Sequence, residues 1–152
     1  MYRKATAGDC AKIYDLICDM ECRELAFDRF QEIFCNQLNS NRYYCLVNDN
    51  DDRVIAVLNL RFEEQLHHTG YIAEIMEFAV EAAFRNQRIG KGMLEEACRI
   101  ARKQGCLQME VACNQLREDT HRFYLREEMH NFHYKFSKSL VGNDSDVNAI
   151  GK

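Results

Sequence analysis

The sequence predicts an α/β domain built on a mixed sheet, and three observations predict it. Apolar residues recur at helical spacing in several separated stretches, while runs rich in β-branched and aliphatic residues lie between them. These segments follow the order strand, two helices, antiparallel strands, helix, strand, helix, strand. The chain has 152 residues of which 47% are hydrophobic, enough for one domain with a real core, expected over residues 1–140.

Residues 2–5 are short enough for an opening strand. Gly8 turns the chain, and Asp9 is a plausible N-cap before Ile13, Leu16, Ile17 and Met20, which share one helical face. Phe27, Phe30, Phe34 and Leu38 predict a second helix from about residue 27 to 39. Residues 43–48 and the run "VIAVLNLRF" read as a hairpin around the polar turn "NDNDDR". "YIAEIMEFAV", residues 71–80, is a further strand, although Glu74 and Glu77 are unusual inside a buried sheet. Met93, Leu94, Ala97, Ile100 and Ala101 share a helix face that opens at Gly90, and Gly105 closes it. Leu107, Met109 and Val111 alternate with polar residues as another strand. Asp119 is a candidate cap for a helix carrying residues 121–128, and residues 132–138 read as a last strand. Residues 141–152, "VGNDSDVNAIGK", form a polar tail without periodicity.

Net charge is -4 and the basic residues are dispersed, so a nucleic-acid partner has little electrostatic support. No stretch approaches the roughly 18 uninterrupted apolar residues of a membrane span, and the N-terminus lacks the apolar run of a secretion signal. A cytosolic protein is therefore expected. The eight cysteines fall mostly within apolar patterns and read as reduced, packed thiols. Cys18 and Cys22 share a helix face, but no C-x-x-C pair completes a zinc site, and no metal is assigned.

The stretch "FRNQRIGKGMLEEA" packs three cationic side chains and two glycines into a helix start. Free amides at a helix start attract phosphate. Gly90 and Gly92 let a pyrophosphate approach the backbone, and Arg85, Arg88 and Lys91 supply long-range attraction. A P-loop is excluded by spacing, and a dinucleotide fingerprint lacks its third glycine, where Glu95 stands.

What remains is Gln87-Arg88-Ile89-Gly90-Lys91-Gly92, which resembles the Q/R-x-x-G-x-G/A signature of the GNAT N-acetyltransferases. The likeness runs from "RKATAGDCAKIYDLI" to "HRFYLREEMHNFHYKFSKSL". Within the family, "LHHTGYIAEIMEFAV" and "HRFYLRE" look like segments of aminoalkylphosphonate N-acetyltransferases. The resemblance implies a GNAT fold, a mostly antiparallel central sheet flanked by about four helices. It implies acetyl-CoA as cosubstrate, its pyrophosphate on the loop and its pantetheine arm against main-chain groups of Phe78 and Val80, as an added strand would lie. It also makes a homodimer the expected assembly. Relatives are helped by divalent cations, so a metal contribution to substrate binding stays open.

Acetyl transfer to nitrogen needs a neutral amine, and an alkylamine of pKa about 10.4 is neutral to only about one part in a thousand near pH 7. A general base is useful, and Glu74 and Glu77 are equal candidates near the reacting end that the resemblance implies. Residues three apart on an ideal strand face opposite ways, so both share the cleft only if a bulge interrupts it. By resemblance, Tyr124 is the general acid for the departing thiolate. Asn114 either holds the pantetheine arm or caps the next turn. Arg42, Tyr43, His67 and His68 are candidates for an anionic substrate head.

The expected activity is acetylation of the primary amine of a small molecule, first an aminoalkylphosphonate. The alternatives are another amine, such as a polyamine, amino sugar or peptide terminus, or a CoA-binding module without catalysis. One departure from the family stands out: Glu128 and Met129 replace the Gly-aromatic pair that commonly follows the tyrosine helix.

Overall fold

A computed structural model describes residues 1–142, so the expected polar tail lies almost wholly outside the described residues. The chain divides into two compact units, Met1–Val111 and Ala112–Lys152.

The first unit carries a five-stranded sheet in sequence order: β1 (Tyr2–Lys4), β2 (Tyr43–Asn50), β3 (Arg53–Gln65), β4 (Gly70–Val80) and β5 (Gln108–Val111). The first four pair antiparallel, and β5 runs parallel to β4. The β2–β3 turn is tighter than the polar run "NDNDDR" implied. Only Asp51 and Asp52 form it, both with positive φ, the geometry of a two-residue hairpin matched to strand twist.

Three helices cover the sheet. A single 3₁₀ turn (Ala7–Asp9) leads into α1 (Cys10–Glu21), and α2 (Phe27–Leu38) follows. Asp9 is the N-cap residue of α1, but its side chain makes no capping bond to that helix. It accepts instead from the Thr6 amide at 2.7 Å and from the Arg3 guanidinium. Tyr14 packs edge-on against Phe27 and Phe30 at 5.0 and 5.3 Å between ring centroids, and its hydroxyl donates to the Leu25 carbonyl. These contacts fix α2 against α1. Ile13, Leu16 and Phe34 then join Cys45, Val47, Val57 and Ala79 in one core layer. Such full burial stabilises by roughly 1.5–3 kcal/mol per large side chain.

The other face of the sheet presents Leu46, Leu58, Leu60 and Phe62, all essentially inaccessible to solvent. Strand alternation separates these from the first layer. Helix α3 (Ile89–Lys103) packs on this face, burying Met93, Leu94, Ala97, Ile100 and Ala101, the stripe read from the sequence. Gly105, one residue beyond the cap Gln104, takes φ +83°, and Cys106 donates back to the Ala101 carbonyl, a glycine-terminated helix end.

The second unit holds α4 (Glu118–Arg126). Asp119 lies inside its first turn rather than at its cap, which is Arg117. The expected last strand over residues 132–138 is not formed: these residues carry no regular structure. Their apolar side chains alternate as a strand's would, but alternation alone supplies no partner for the backbone.

Candidate functional site

The pairing of β3 with β4 contains one irregularity. Asn59 stands opposite Glu77 and Leu60 opposite Ile75, so Met76 is an extra residue without a partner. This bulge supplies the condition that the sequence required. Val57, Asn59 and Arg61 share one face of β3, and their partners Ala79, Glu77 and Glu74 share the matching face of β4. Both carboxylates therefore stand on the α1–α2 side of the sheet.

They differ in surroundings. Glu77 is half-buried, and loss of hydration raises its pKa, with the nearby Glu21 charge pushing the same way. A hydrogen bond from Asn59 opposes both. Asn59 Nδ2 donates to Glu77 Oε2 and to Gln37 Oε1, each at 2.9 Å. Asn59 is only 7% exposed, and its Oδ1 has no hydrogen-bond partner. Glu74 is instead ion-paired with Arg61 Nη2 at 2.6 Å. Arg61 also approaches Glu63 at 3.4 Å and leaves its Nε buried without a partner.

Successive register partners place Tyr43, Arg61, Glu74 and Glu110 in a row across the sheet. Sequence reading missed Asn59, Arg61 and Gln37. The signal for the first two was present: they are the polar members of "VLNLRF", two apart, on the face that β4 later fills with glutamates.

Tyr43 is half-buried in that row, whereas Arg42 is exposed and its carbonyl accepts from Phe62 at 2.7 Å. His67 and His68 lie in the β3–β4 turn, rings 4.3 Å apart, with His68 Nε2 3.5 Å from Gln108 Nε2. The structure therefore joins Tyr43 to the glutamate row and puts the two histidines at the hairpin tip.

The phosphate loop begins where β4 ends. Glu81 donates its amide to Ile55 across the hairpin. By alternation the main-chain groups of Phe78 and Val80 turn the other way, toward the β5 side. There β5 pairs only with residues 72–75, and β4 runs on beyond it. Arg85 Nε donates to the Val80 carbonyl at 3.0 Å, and its Nη2 reaches Asp19 at 3.2 Å. Gln87 Nε2 holds the Ala83 carbonyl at 3.1 Å. Asn86 and Arg88 both adopt positive φ, a strained conformation that turns the chain abruptly into α3.

At that helix start the amides of Arg88, Ile89, Gly90 and Lys91 have no intrahelical acceptor. Gly92 differs from expectation. Its amide donates to the Arg88 carbonyl at 3.1 Å, and a Cβ there would collide with the Tyr2 hydroxyl. Gly92 makes room for Tyr2, and the open amides end one residue earlier, at Lys91. Lys91 is only loosely held by Glu95 at 3.9 Å, and Arg88 pairs with no carboxylate among the described residues.

In the second unit Tyr124 is buried. Loss of hydration and the Cys113 thiol raise its pKa, with Arg117 opposing, so it keeps its proton at neutral pH. Asn114 closes a turn: its Oδ1 accepts from the Leu116 amide at 2.9 Å, and its carbonyl accepts from Arg117. Among the described residues no group of three or more His, Cys, Asp or Glu side chains gathers as metal ligands, and no helix is long and apolar enough to cross a membrane.

Residues 10–130 match the acetyltransferase (GNAT) family. An aminoalkylphosphonate N-acetyltransferase of Salmonella typhimurium is 37% identical over 139 residues, 91% of this chain and 90% of that protein. A transcriptional regulator from Bacillus halodurans C-125 superimposes with a TM-score of 0.85 at 20% identity, covering 92% of this chain and 99% of that one. Glucosamine-6-phosphate N-acetyltransferase from Arabidopsis thaliana gives 0.77 at 19% identity, with 93% and 98% covered. The two structural likenesses speak for the fold. With motif, topology and sequence identity in agreement, the chain belongs to the GNAT family and is an acetyl-CoA-dependent N-acetyltransferase.

Proposed function

We propose that the protein acetylates the primary amine of an aminoalkylphosphonate, with Glu77 as general base and Tyr124 as general acid. The observation that carries this reading is the Met76 bulge, which sets a half-buried, proton-avid Glu77 beside an ion-paired Glu74 on one face. Identity of 37% to an aminoalkylphosphonate N-acetyltransferase supports the substrate class.

Acetyl-CoA supplies the activated thioester. The amides of Ile89, Gly90 and Lys91 bind its pyrophosphate, with Arg88 and Lys91 adding charge, and the β4 backbone at Phe78 and Val80 aligns the pantetheine arm. Glu77 Oε takes the proton from the substrate ammonium, and a raised pKa brings this carboxylate nearer to the operating pH. Asn59 fixes the orientation of that carboxylate through its 2.9 Å bond. Glu74, ion-paired with Arg61 at 2.6 Å, supports the site. Tyr124 Oη, protonated because it is buried, gives its proton to the departing sulfur. Tyr43 and Arg61 are the nearest groups for the phosphonate, with Arg42, His67 and His68 as outer candidates.

A second reading has one observation in its favour: Glu63, Glu74, Glu77 and Glu110 share this face of the sheet with Arg61, an excess of carboxylates there that also suits a cationic polyamine. A mass-spectrometric screen of 1-aminoethylphosphonate, 2-aminoethylphosphonate and spermidine separates the two. The expected result is N-acetyl product from the phosphonates; preferential acetylation of spermidine defeats the substrate assignment. Glu77→Gln and Tyr124→Phe are each expected to lower kcat by roughly 10²–10⁴-fold. Unchanged turnover in either variant removes its assigned role.

A cytoplasmic homodimer completes the proposal. All eight cysteines are unpaired thiols, as a reducing compartment keeps them.

A further inference from the structure

Gln37 stands half-buried in the last turn of α2, and that helix end is held in place. The Asn39 backbone and side-chain amides both donate to the Cys35 carbonyl, at 3.3 and 3.0 Å, and the Ser40 amide donates to the Gln37 carbonyl. From this end Gln37 Oε1 accepts from Asn59 Nδ2 at 2.9 Å, and the same nitrogen donates to Glu77 Oε2 at 2.9 Å. A side-chain amide carries two donors on its nitrogen and only acceptors on its oxygen. Asn59 Nδ2 therefore commits both hydrogens, while Oδ1 is buried without a partner. An unmatched buried acceptor is unfavourable, so this orientation persists because the reverse one is worse. Turning the side-chain amide over would set Oδ1 against the Glu77 carboxylate and Gln37 Oε1 together.

We propose that Gln37 is a positioning residue for acetyl transfer: from α2 it holds the Asn59 side-chain amide with its nitrogen toward Glu77, and so keeps that carboxylate ready to accept a proton. This inference rests on the reading of Glu77 as the base. With Oδ1 toward Glu77 instead, Asn59 could accept a hydrogen bond from the protonated acid alone, and the base would be stabilised in its spent form. Gln37 Oε1 selects between the two orientations because only Nδ2 can satisfy it. The other groups around Glu77 do not replace this contact. Glu21 on α1 repels the carboxylate, and Cys45 on β2 has its thiol pushed up to about 12, first by burial and then by Glu77, so it stays neutral. Along β4, Glu74 is already paired with Arg61 of β3. Asn59 is left as the contact that favours the charged form, and Gln37 as the contact that orients Asn59.

Isotope-edited NMR of the glutamate carboxyls, with Glu77 assigned from Glu77→Gln, follows the titration of this group without catalysis, and the pH profile of kcat/KM follows it in turnover. Gln37→Met keeps the length of the side chain and removes the acceptor, and Gln37→Ala is a second truncation. Each is expected to raise the proton affinity of Glu77 about three- to tenfold, with the acid limb of kcat/KM moving to higher pH to match. In an Asn59→Leu background Gln37→Met is expected to add no further shift, because its effect passes through Asn59. A packing role alone would lower Tm and leave the titration where it is. A Glu77 titration that stays at its wild-type position in both Gln37 variants, or an equal shift in the Asn59→Leu background, overturns the proposal and leaves the base standing. Undiminished turnover in Glu77→Gln removes the base, and the positioning role with it.

Discussion

At Glu128 the chain adopts φ +64°, a conformation that costs a non-glycine residue roughly 1–2 kcal/mol. The end of α4 shows why the position demands it. Glu128 donates to the Leu125 carbonyl and Met129 to the Tyr124 carbonyl, the two bonds of a helix end built around a left-handed residue. The departure from the family's glycine is therefore a change of residue without a change of geometry. Glu128→Gly is expected to stabilise the protein by about 1 kcal/mol, read as a higher midpoint in denaturant. Glu77 is strained in a different way. Its folded-state pKa lies above the ordinary carboxylate range, so the folded state holds a proton that the unfolded chain releases, and stability falls as pH rises through that interval. Glu77→Gln should therefore unfold at higher temperature than wild type at neutral pH while losing turnover. Replacing Asn59 with Leu removes the one contact that favours the charged carboxylate, and the acid limb of the rate profile should move to higher pH.

Among the strands, β1 is the shortest, and its anchorage is electrostatic. Arg3 forks onto both Asp9 oxygens at 2.8 Å and reaches Asp49 through Nε at 2.5 Å, joining β1, the turn before α1 and the end of β2. The guanidinium and the Thr6 donors hold the Asp9 carboxyl down at about 2, against 3.8 for an ordinary aspartate. A depressed folded-state pKa means that this stability is present above 3.8 and is lost as pH falls through about 2. After allowance for solvent screening it amounts to on the order of 1 kcal/mol. Asp9→Asn is expected to lower stability by that amount at neutral pH and to flatten the acid limb of a stability-against-pH curve. Helix and strand existence could be read from the sequence because periodicity reports burial, and α1, α2, α3 and the β2–β4 meander all follow it. Residues 132–138 alternate equally well, but a strand requires a neighbour, and periodicity carries no information about neighbours.

For the whole molecule, the GNAT signature was the most legible part, since its glycines and cations are contiguous in "QRIGKG". The reason for the second glycine was not legible: Gly92 answers to Tyr2, ninety residues away in sequence, and its amide is already bonded. The Gln37–Asn59–Glu77 contact was equally hidden because it joins three elements. Acetyl-CoA binding at the α3 start can be measured without catalysis. A ligand that binds only the folded state stabilises by about 2.7 kcal/mol at a hundred times its Kd. Tm should rise with acetyl-CoA concentration, and the rise should shrink in Lys91→Ala. A Tm indifferent to acetyl-CoA would count against the loop assignment.

The bulge at Met76 has an evolutionary corollary. Substitution at this position alters one side chain, but deletion of its codon would shift the reading of the strand by one step, sending the residues on one side through to the opposite surface. Length, more than identity, is what selection must guard there. Descendants of this enzyme are free to exchange the methionine and forbidden to lose it.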